Sequence, residues 1–131
     1  KEITGINHIG LRVRDLKNLG LFYEKLGFKF IVGPVGPEPV AIIEHPCGVN
    51  FNLILNASDN APQSNVLMDE SVKYPGYTHI ALEVADAVSV ATKIIDLGLT
   101  ITEEVEYNGA RFFLLEIPTI MSLSFISRRS N

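Results

Sequence analysis

Apolar and polar positions alternate in one short stretch of this chain and then again far downstream. In residues 6–13, His8, Gly10 and Arg12 fall on one side of an extended strand, and Ile9, Leu11 and Val13 on the other. The period then changes. Leu16, Leu19, Phe22, Tyr23 and Leu26 recur at helical spacing and predict a single apolar stripe. Asp15 stands where an N-cap accepts from otherwise orphaned backbone N–H groups, and Gly27 where a left-handed residue ends a helix. Three strand-like runs follow: Lys29–Val35, Val40–Glu44 and residues 51–55. Gly33-Pro34 and Gly36-Pro37 break the first, and His45-Pro46-Cys47-Gly48 supplies a reversal before the last. His45 and Cys47 are read there as solvent-facing loop residues.

The second half repeats the plan. Residues 77–84 alternate with His79, Ala81 and Glu83 on one face. Asp86 caps a helix running to Asp96, for which Val88, Ala91, Ile94 and Ile95 are expected inward, and Gly98 ends it. Ile101–Tyr107, residues 111–115 and residues 121–126 read as strands, with Asn108-Gly109 a two-residue hairpin signal. At an offset of 71, His79 falls on His8, Ile80 on Ile9, Leu82 on Leu11, Val84 on Val13, Asp86 on Asp15 and Leu97-Gly98 on Leu26-Gly27. Pro118 falls on Pro46 at an offset of 72, one inserted residue later. A histidine, a capping aspartate and a terminating glycine at one offset mark a duplication.

The expected architecture is an α+β domain of two βαβββ modules, a single domain over residues 1–131. Module one covers about 1–56, a polar linker about 57–76 with local structure near Val66-Leu67-Met68, and module two about 77–131. Neither module can bury both faces of its own sheet, so the two sheets are expected to form a curved mixed sheet around a cavity.

Composition narrows the function. Hydrophobic residues are 47% and charged residues 20% of the chain, as in ordinary globular proteins. The net charge is -4 with scattered Lys and Arg, adjacent only at Arg128-Arg129, so no nucleic-acid partner is expected. No apolar run approaches the roughly 18–20 residues that span a bilayer, and no membrane partner is expected. The single Cys47 excludes an intrachain disulfide and a cysteine zinc site, and a reducing, cytoplasmic setting is the expectation.

The stretches "NHIGLRVRDL…FYEKLGFKF" and "THIALEVAD…DLGLTI" resemble the vicinal oxygen chelate superfamily, which includes glyoxalase I, bleomycin resistance proteins, fosfomycin thiol transferases and extradiol dioxygenases. "HPCGVNFNL" and "EIPTIMSLSF" resemble the family's D-P-x-G-x-x-x-E-L ending more distantly. The resemblance implies a divalent ion (Zn, Ni, Fe or Mn) held by first-strand His or Gln and last-strand Glu residues, a small-molecule ligand, and a homodimer. The first-strand positions fall on His8 and His79. Counting from Pro46 and Pro118 puts Asn52 and Ser124 where the two glutamates belong, so both carboxylates are replaced. Two neutral imidazoles suit such metals, whereas Asn and Ser bring no charge to offset a dication.

On sequence alone the two histidines are either cavity groups or hydrogen-bonded core residues. Arg12 shares the face of His8 and requires an anionic partner, either a ligand carboxylate or Glu83, its counterpart in the second module. Arg12, Asn52, Glu83 and Ser124 are therefore the candidate ligand contacts, with His8 and His79 as metal candidates in a degenerate site. Two functions follow as expectations: a binding protein for a small organic molecule, or a metal-dependent glyoxalase-like lyase, isomerase or thiol transferase.

Overall fold

The structure is a computed structural model that describes residues 1–58, 60, 65–117 and 121–127. Two compact units divide the chain, Lys1–Ala61 and Pro62–Asn131, and the break falls inside the expected linker.

In the first unit the order is β1 (Ile9–Arg12), α1 (Leu16–Lys25), β2 (Lys29–Val35), β3 (Val40–Glu44) and β4 (Asn50–Ile54). The sheet order is β1-β4-β3-β2, with β1 parallel to β4 and the other pairs antiparallel. β1 begins one residue after His8, because its ladder starts at Ile9 opposite Phe51. Asp15 caps α1 by accepting from the Asn18 N–H at 3.1 Å, and Asn18 Nδ2 donates back at 2.6 Å. Beyond the helix, the N–H groups of Gly27 and Phe28 donate to Glu24 and Tyr23, with Gly27 at φ 97°, the geometry of a Schellman stop.

One face of this sheet and the inner stripe of α1 make the core. Leu19, Phe22 and Tyr23 bury against Phe28, Ala41, Ile43, Phe51 and Leu53. Tyr23 meets Phe28 and Phe51 edge-on, each at 5.1 Å, while Phe28 and Phe51 stack at 5.0 Å. Burial pushes the Tyr23 hydroxyl's pKa up, because the phenolate has no water to stabilise it. His45 is half-buried rather than solvent-facing. Its ring meets Phe28 edge-on at 5.2 Å, and its Nδ1 accepts from the Cys47 N–H at 3.1 Å, closing the turn; Cys47 itself is exposed.

The second unit repeats this order as β5 (His79–Val84), α2 (Ala87–Asp96), β6 (Ile101–Tyr107), β7 (Ala110–Ile117) and β8 (Met121–Ser127), in sheet order β5-β8-β7-β6. Leu99 N–H donates to Ile94 and Gly98 N–H to Ile95, the same stop as in α1. Asn108 and Gly109 both have positive φ, 55° and 84°, as a type I′ hairpin requires. The inward stripe of α2 differs from the expected one. Ala87 and Ile94 are buried, whereas Val88 and Ile95 are 55% and 60% exposed. Val88 and Ile95 are seven residues apart and share the outer face, so the helical period sets them both outside. Upstream, the Asn65 carbonyl accepts from the Met68 and Asp69 N–H groups, a local turn where the linker was expected to hold structure. Among the described residues no helix is long and apolar enough to cross a membrane. Pro118, Arg128 and Arg129 lie outside the described residues.

The α2 cap makes an acid-stability prediction. Asp86 Oδ1 accepts from the Val88 N–H at 3.0 Å, and Oδ2 from the Ser89 hydroxyl at 2.9 Å. The Ser89 hydroxyl first, and then the backbone N–H groups, hold the Asp86 carboxyl below its ordinary range. Folded aspartate therefore binds its proton later than the unfolded one on acidification. Its contribution is complete above about pH 4, where the unfolded carboxyl ionises, and disappears as pH falls through the depressed folded value. Asp86→Asn is expected to flatten the loss of melting temperature between pH 5 and pH 2, measured by circular dichroism.

Candidate functional site

Each sheet has a second face, opposite its helix, that carries the polar residues singled out above. The register decides which of them are neighbours. Gly10 on β1 is opposite Asn52 on β4, which is opposite Ile42 on β3. The next row along the strands is Arg12, Ile54 and Val40. In β4 the alternation is strict: Phe51 and Leu53 enter the core, while Asn50, Asn52 and Ile54 are half-buried on the other face. Gly10 has no side chain, so the Asn52 carboxamide stands beside an open position. A Cβ at Gly10 would meet only Ile54 Cδ1, at 3.8 Å.

Arg12 has partners within its own unit. Its Nη2 donates to Glu38 Oε1 at 2.9 Å and its Nε to Asn56 Oδ1 at 2.9 Å, while Asn56 Nδ2 donates to the same Glu38 oxygen at 3.1 Å. Glu83, the carboxylate weighed on sequence as the partner of Arg12, is an exposed residue of β5 in the other unit, opposite Ile126. Neither Glu38 nor Asn56 was singled out from sequence. Both lie outside the strands, where periodicity gives no signal. The Arg12–Ile54–Val40 row places them: Asn56 lies two residues past Ile54, and Glu38 sits in the turn at residues 36–39 that leads into Val40, so both lie beside Arg12. The amide of Asn56, and then Arg12, hold the Glu38 carboxyl below its ordinary range. The guanidinium is thus already neutralised, and the exposed pair adds little stability.

The histidines are exposed and each is tied at Nδ1 to the residue before it. His8 Nδ1 lies 2.9 Å from Asn7 Oδ1, and His79 Nδ1 lies 2.9 Å from Thr78 Oγ1. The Asn7 side-chain oxygen can only accept, so His8 Nδ1 is the donor of this bond. The Thr78 hydroxyl can donate or accept and fixes no tautomer. In the second unit the register puts His79 opposite Ser122 and Ala81 opposite Ser124. Gly10–Asn52 and Ala81–Ser124 are therefore equivalent pairs of the duplication. The Ser124 side chain lies outside the described residues.

A metal ion is tested against this donor set. Among the described residues, no three His, Cys, Asp or Glu side chains group as a metal site needs. The four positions implied by the duplication supply two imidazoles, one carboxamide and one hydroxyl. None carries negative charge, so a divalent cation would keep its full charge against neutral donors. The residues do not fit the ion.

The match to known families agrees with the strand order. The family model described as "Glyoxalase/Bleomycin resistance protein/Dioxygenase superfamily" matches residues 5–119. No curated protein sequence matches the chain significantly. Among solved structures, a glyoxylase/bleomycin resistance protein/dioxygenase domain from a Frankia species is 21% identical with a TM-score of 0.78, covering 99% of this chain and 96% of that one. The fosfomycin resistance protein FosX from Listeria monocytogenes is 17% identical with a TM-score of 0.71, covering 96% and 94%, and has also been solved with Mn(II) and sulfate. TnmS3, an antibiotic binding protein from a Streptomyces species, is 13% identical with a TM-score of 0.71, covering 97% and 98%. At these identities the likeness is one of fold.

Proposed function

Because this chain belongs to the Glyoxalase/Bleomycin resistance protein/Dioxygenase superfamily, we propose that it binds a small organic molecule on the open faces of its sheets without a metal ion. The observation that carries this reading is Asn52. At the position where the family ending has a carboxylate, a half-buried carboxamide stands between Gly10 and Ile42. A carboxamide donates and accepts at once, which suits a neutral carbonyl, hydroxyl or amide and not a cation. With Arg12 already neutralised by Glu38, the first unit's open face favours an uncharged polar ligand with an apolar body, resting on Val40, Ile42 and Ile54. Arg12 and Asn52 in the first unit, and Glu83 and Ser124 in the second, are the ligand contacts under this reading. The scaffold alone decides nothing, since one fold hosts both binding and catalysis.

The test is thermal-shift screening against neutral polar aromatic compounds, with and without EDTA. A stabilising compound is expected to act equally in both conditions. Asn52→Ala should weaken its Kd about tenfold, the loss of one well-made hydrogen bond at roughly 1.4 kcal/mol. Stabilisation that requires a divalent ion, or an unchanged Kd in Asn52→Ala, would overturn the proposal.

One observation favours the second reading, a divalent-metal-dependent lyase, isomerase or thiol transferase. The Asn7 side-chain oxygen occupies His8 Nδ1 and leaves Nε2 as the ring nitrogen that could face an ion. Elemental analysis separates the readings: near-stoichiometric metal in purified protein, lost in His8→Ala and His79→Ala, would replace binding with metal-dependent chemistry.

A further inference from the structure

A groove of about 450 Å³ runs along the outer side of α1, between the helix and β2, and lies wholly within the first unit. Its floor continues the core. Phe30 is opposite Ile43, and Ile43 is opposite Phe51, so the three share the sheet face that α1 covers. Phe51 and Ile43 are buried, whereas Phe30, on the edge strand, is 55% exposed, so the helix stops short of covering it. Leu16 and Leu21 on the helix and Phe28 below complete the apolar walls. Gly20 keeps the groove open. It lines the groove in the middle of α1, where glycine is less favourable than alanine, and a Cβ there would meet nothing within 4 Å.

The charges on the rim are unevenly placed. Lys17, Glu24 and Lys29 line the groove, and none forms an ion pair among the described residues. Lys29 opens β2 just past the C-terminal end of α1, the end that carries Glu24, so these two charges offset each other. Lys17 stands at the other end, about 10 Å along the axis from Glu24, roughly a Debye length in physiological salt. Asp15, its nearest carboxylate along the chain, does not line the groove, and both its oxygens accept from Asn18. We propose that this groove binds an aromatic monocarboxylate, its ring on Phe30 and its carboxylate on the Lys17 ammonium. The ring covers apolar surface that Phe30 and Leu21 leave in water, and one negative charge matches the one cation without an opposing neighbour. Its size is that of small-molecule sites, about 300–1,000 Å³. The feature belongs to the first unit alone: 71 residues on, Val88, Ala91 and Thr100 replace Lys17, Gly20 and Lys29. The groove is on the helix side of the sheet and Asn52 on the other, so the inference is independent of what the open faces bind.

The test is a titration of the isotope-labelled full chain with sodium naphthoate, followed by backbone amide NMR shifts. The shifts are expected to centre on Leu16, Leu21 and Phe30 and to saturate with a Kd of about 1 mM or tighter. Lys17→Gln should raise that Kd about fivefold, the upper end for an exposed ion pair, and Lys29→Gln should raise it less. Gly20→Leu, whose side chain fills the groove, should remove the saturable shifts while its melting temperature stays no lower than that of the wild type. Shifts centred on Gly10 and Asn52, shifts that never saturate, a Kd unchanged in Lys17→Gln, or binding that survives Gly20→Leu would each overturn the proposal.

Discussion

Gly33→Ala is expected to cost the first unit roughly 2–6 kcal/mol, the sum of about 1–3 for backbone strain and about 1–3 for overpacking. Gly33 lies in β2 at φ 140°, and a Cβ there would come within 2.5 Å of Ala41 Cα and 2.6 Å of the Val40 carbonyl oxygen. Both atoms belong to the backbone of β3, and Ala41 is completely buried, so no flexible group can give way. The ladder shifts register between Phe30 and Val32 and again between Val32 and Val35, the interval that holds Gly33, which lets the bare glycine press against its neighbour. Against a total of about 5–15 kcal/mol for a typical domain, the loss should show as a large drop in urea midpoint or in soluble yield. Gly10→Ala is the control. Its Cβ makes only an ordinary contact with Ile54, and its midpoint should stay close to that of the wild type.

Phe51→Ala should cost about 3–5 kcal/mol, the range for a fully buried aromatic truncated to alanine. Phe51 is the centre of the aromatic cluster, stacked on Phe28 and edge-on to Tyr23, and it sits opposite Ile9 and Ile43 in the two neighbouring strands. Its removal leaves a cavity beneath three strands and the helix at once. The functional consequence follows from period two. β4 carries Phe51 and Leu53 inward and Asn50, Asn52 and Ile54 outward, so the residue that stabilises the strand also fixes the carboxamide proposed to meet a ligand. Urea unfolding followed by far-ultraviolet circular dichroism measures the first effect. Phe51→Leu, which keeps most of the volume, should lose less than half as much.

Local signals carried far in this chain because they were written twice. The caps at Asp15 and Asp86, the stops at Gly27 and Gly98, and the Asn108-Gly109 hairpin each depend on a few neighbouring residues, and the structure places each one as the chemistry requires. The inward face of α2 was less legible. Val88 and Ile95 are apolar, and hydropathy alone reads apolar as inward, yet their angular position on the helix is outside. Whether an apolar residue is buried depends on what lies opposite it, and α2 turns Ala87 and Ile94 to its own sheet instead.

The polar face shows the same division. The residue types were available from the sequence: two histidines at matched positions, an arginine two residues past the first, and Asn and Ser where a related ending carries Glu. Their partners were not. Glu38 and Asn56 are 26 and 44 residues from Arg12, in segments with no period to read, and only strand register brings them to one guanidinium. The sequence by itself determined the duplicated βαβββ plan, because helix caps, turn glycines and alternation act over a few bonds. Only the tertiary structure decided that Arg12 is neutralised within its own unit and that Asn52 stands opposite a glycine. Pairing between distant strands is a property of the whole sheet, and no short stretch of chain contains it.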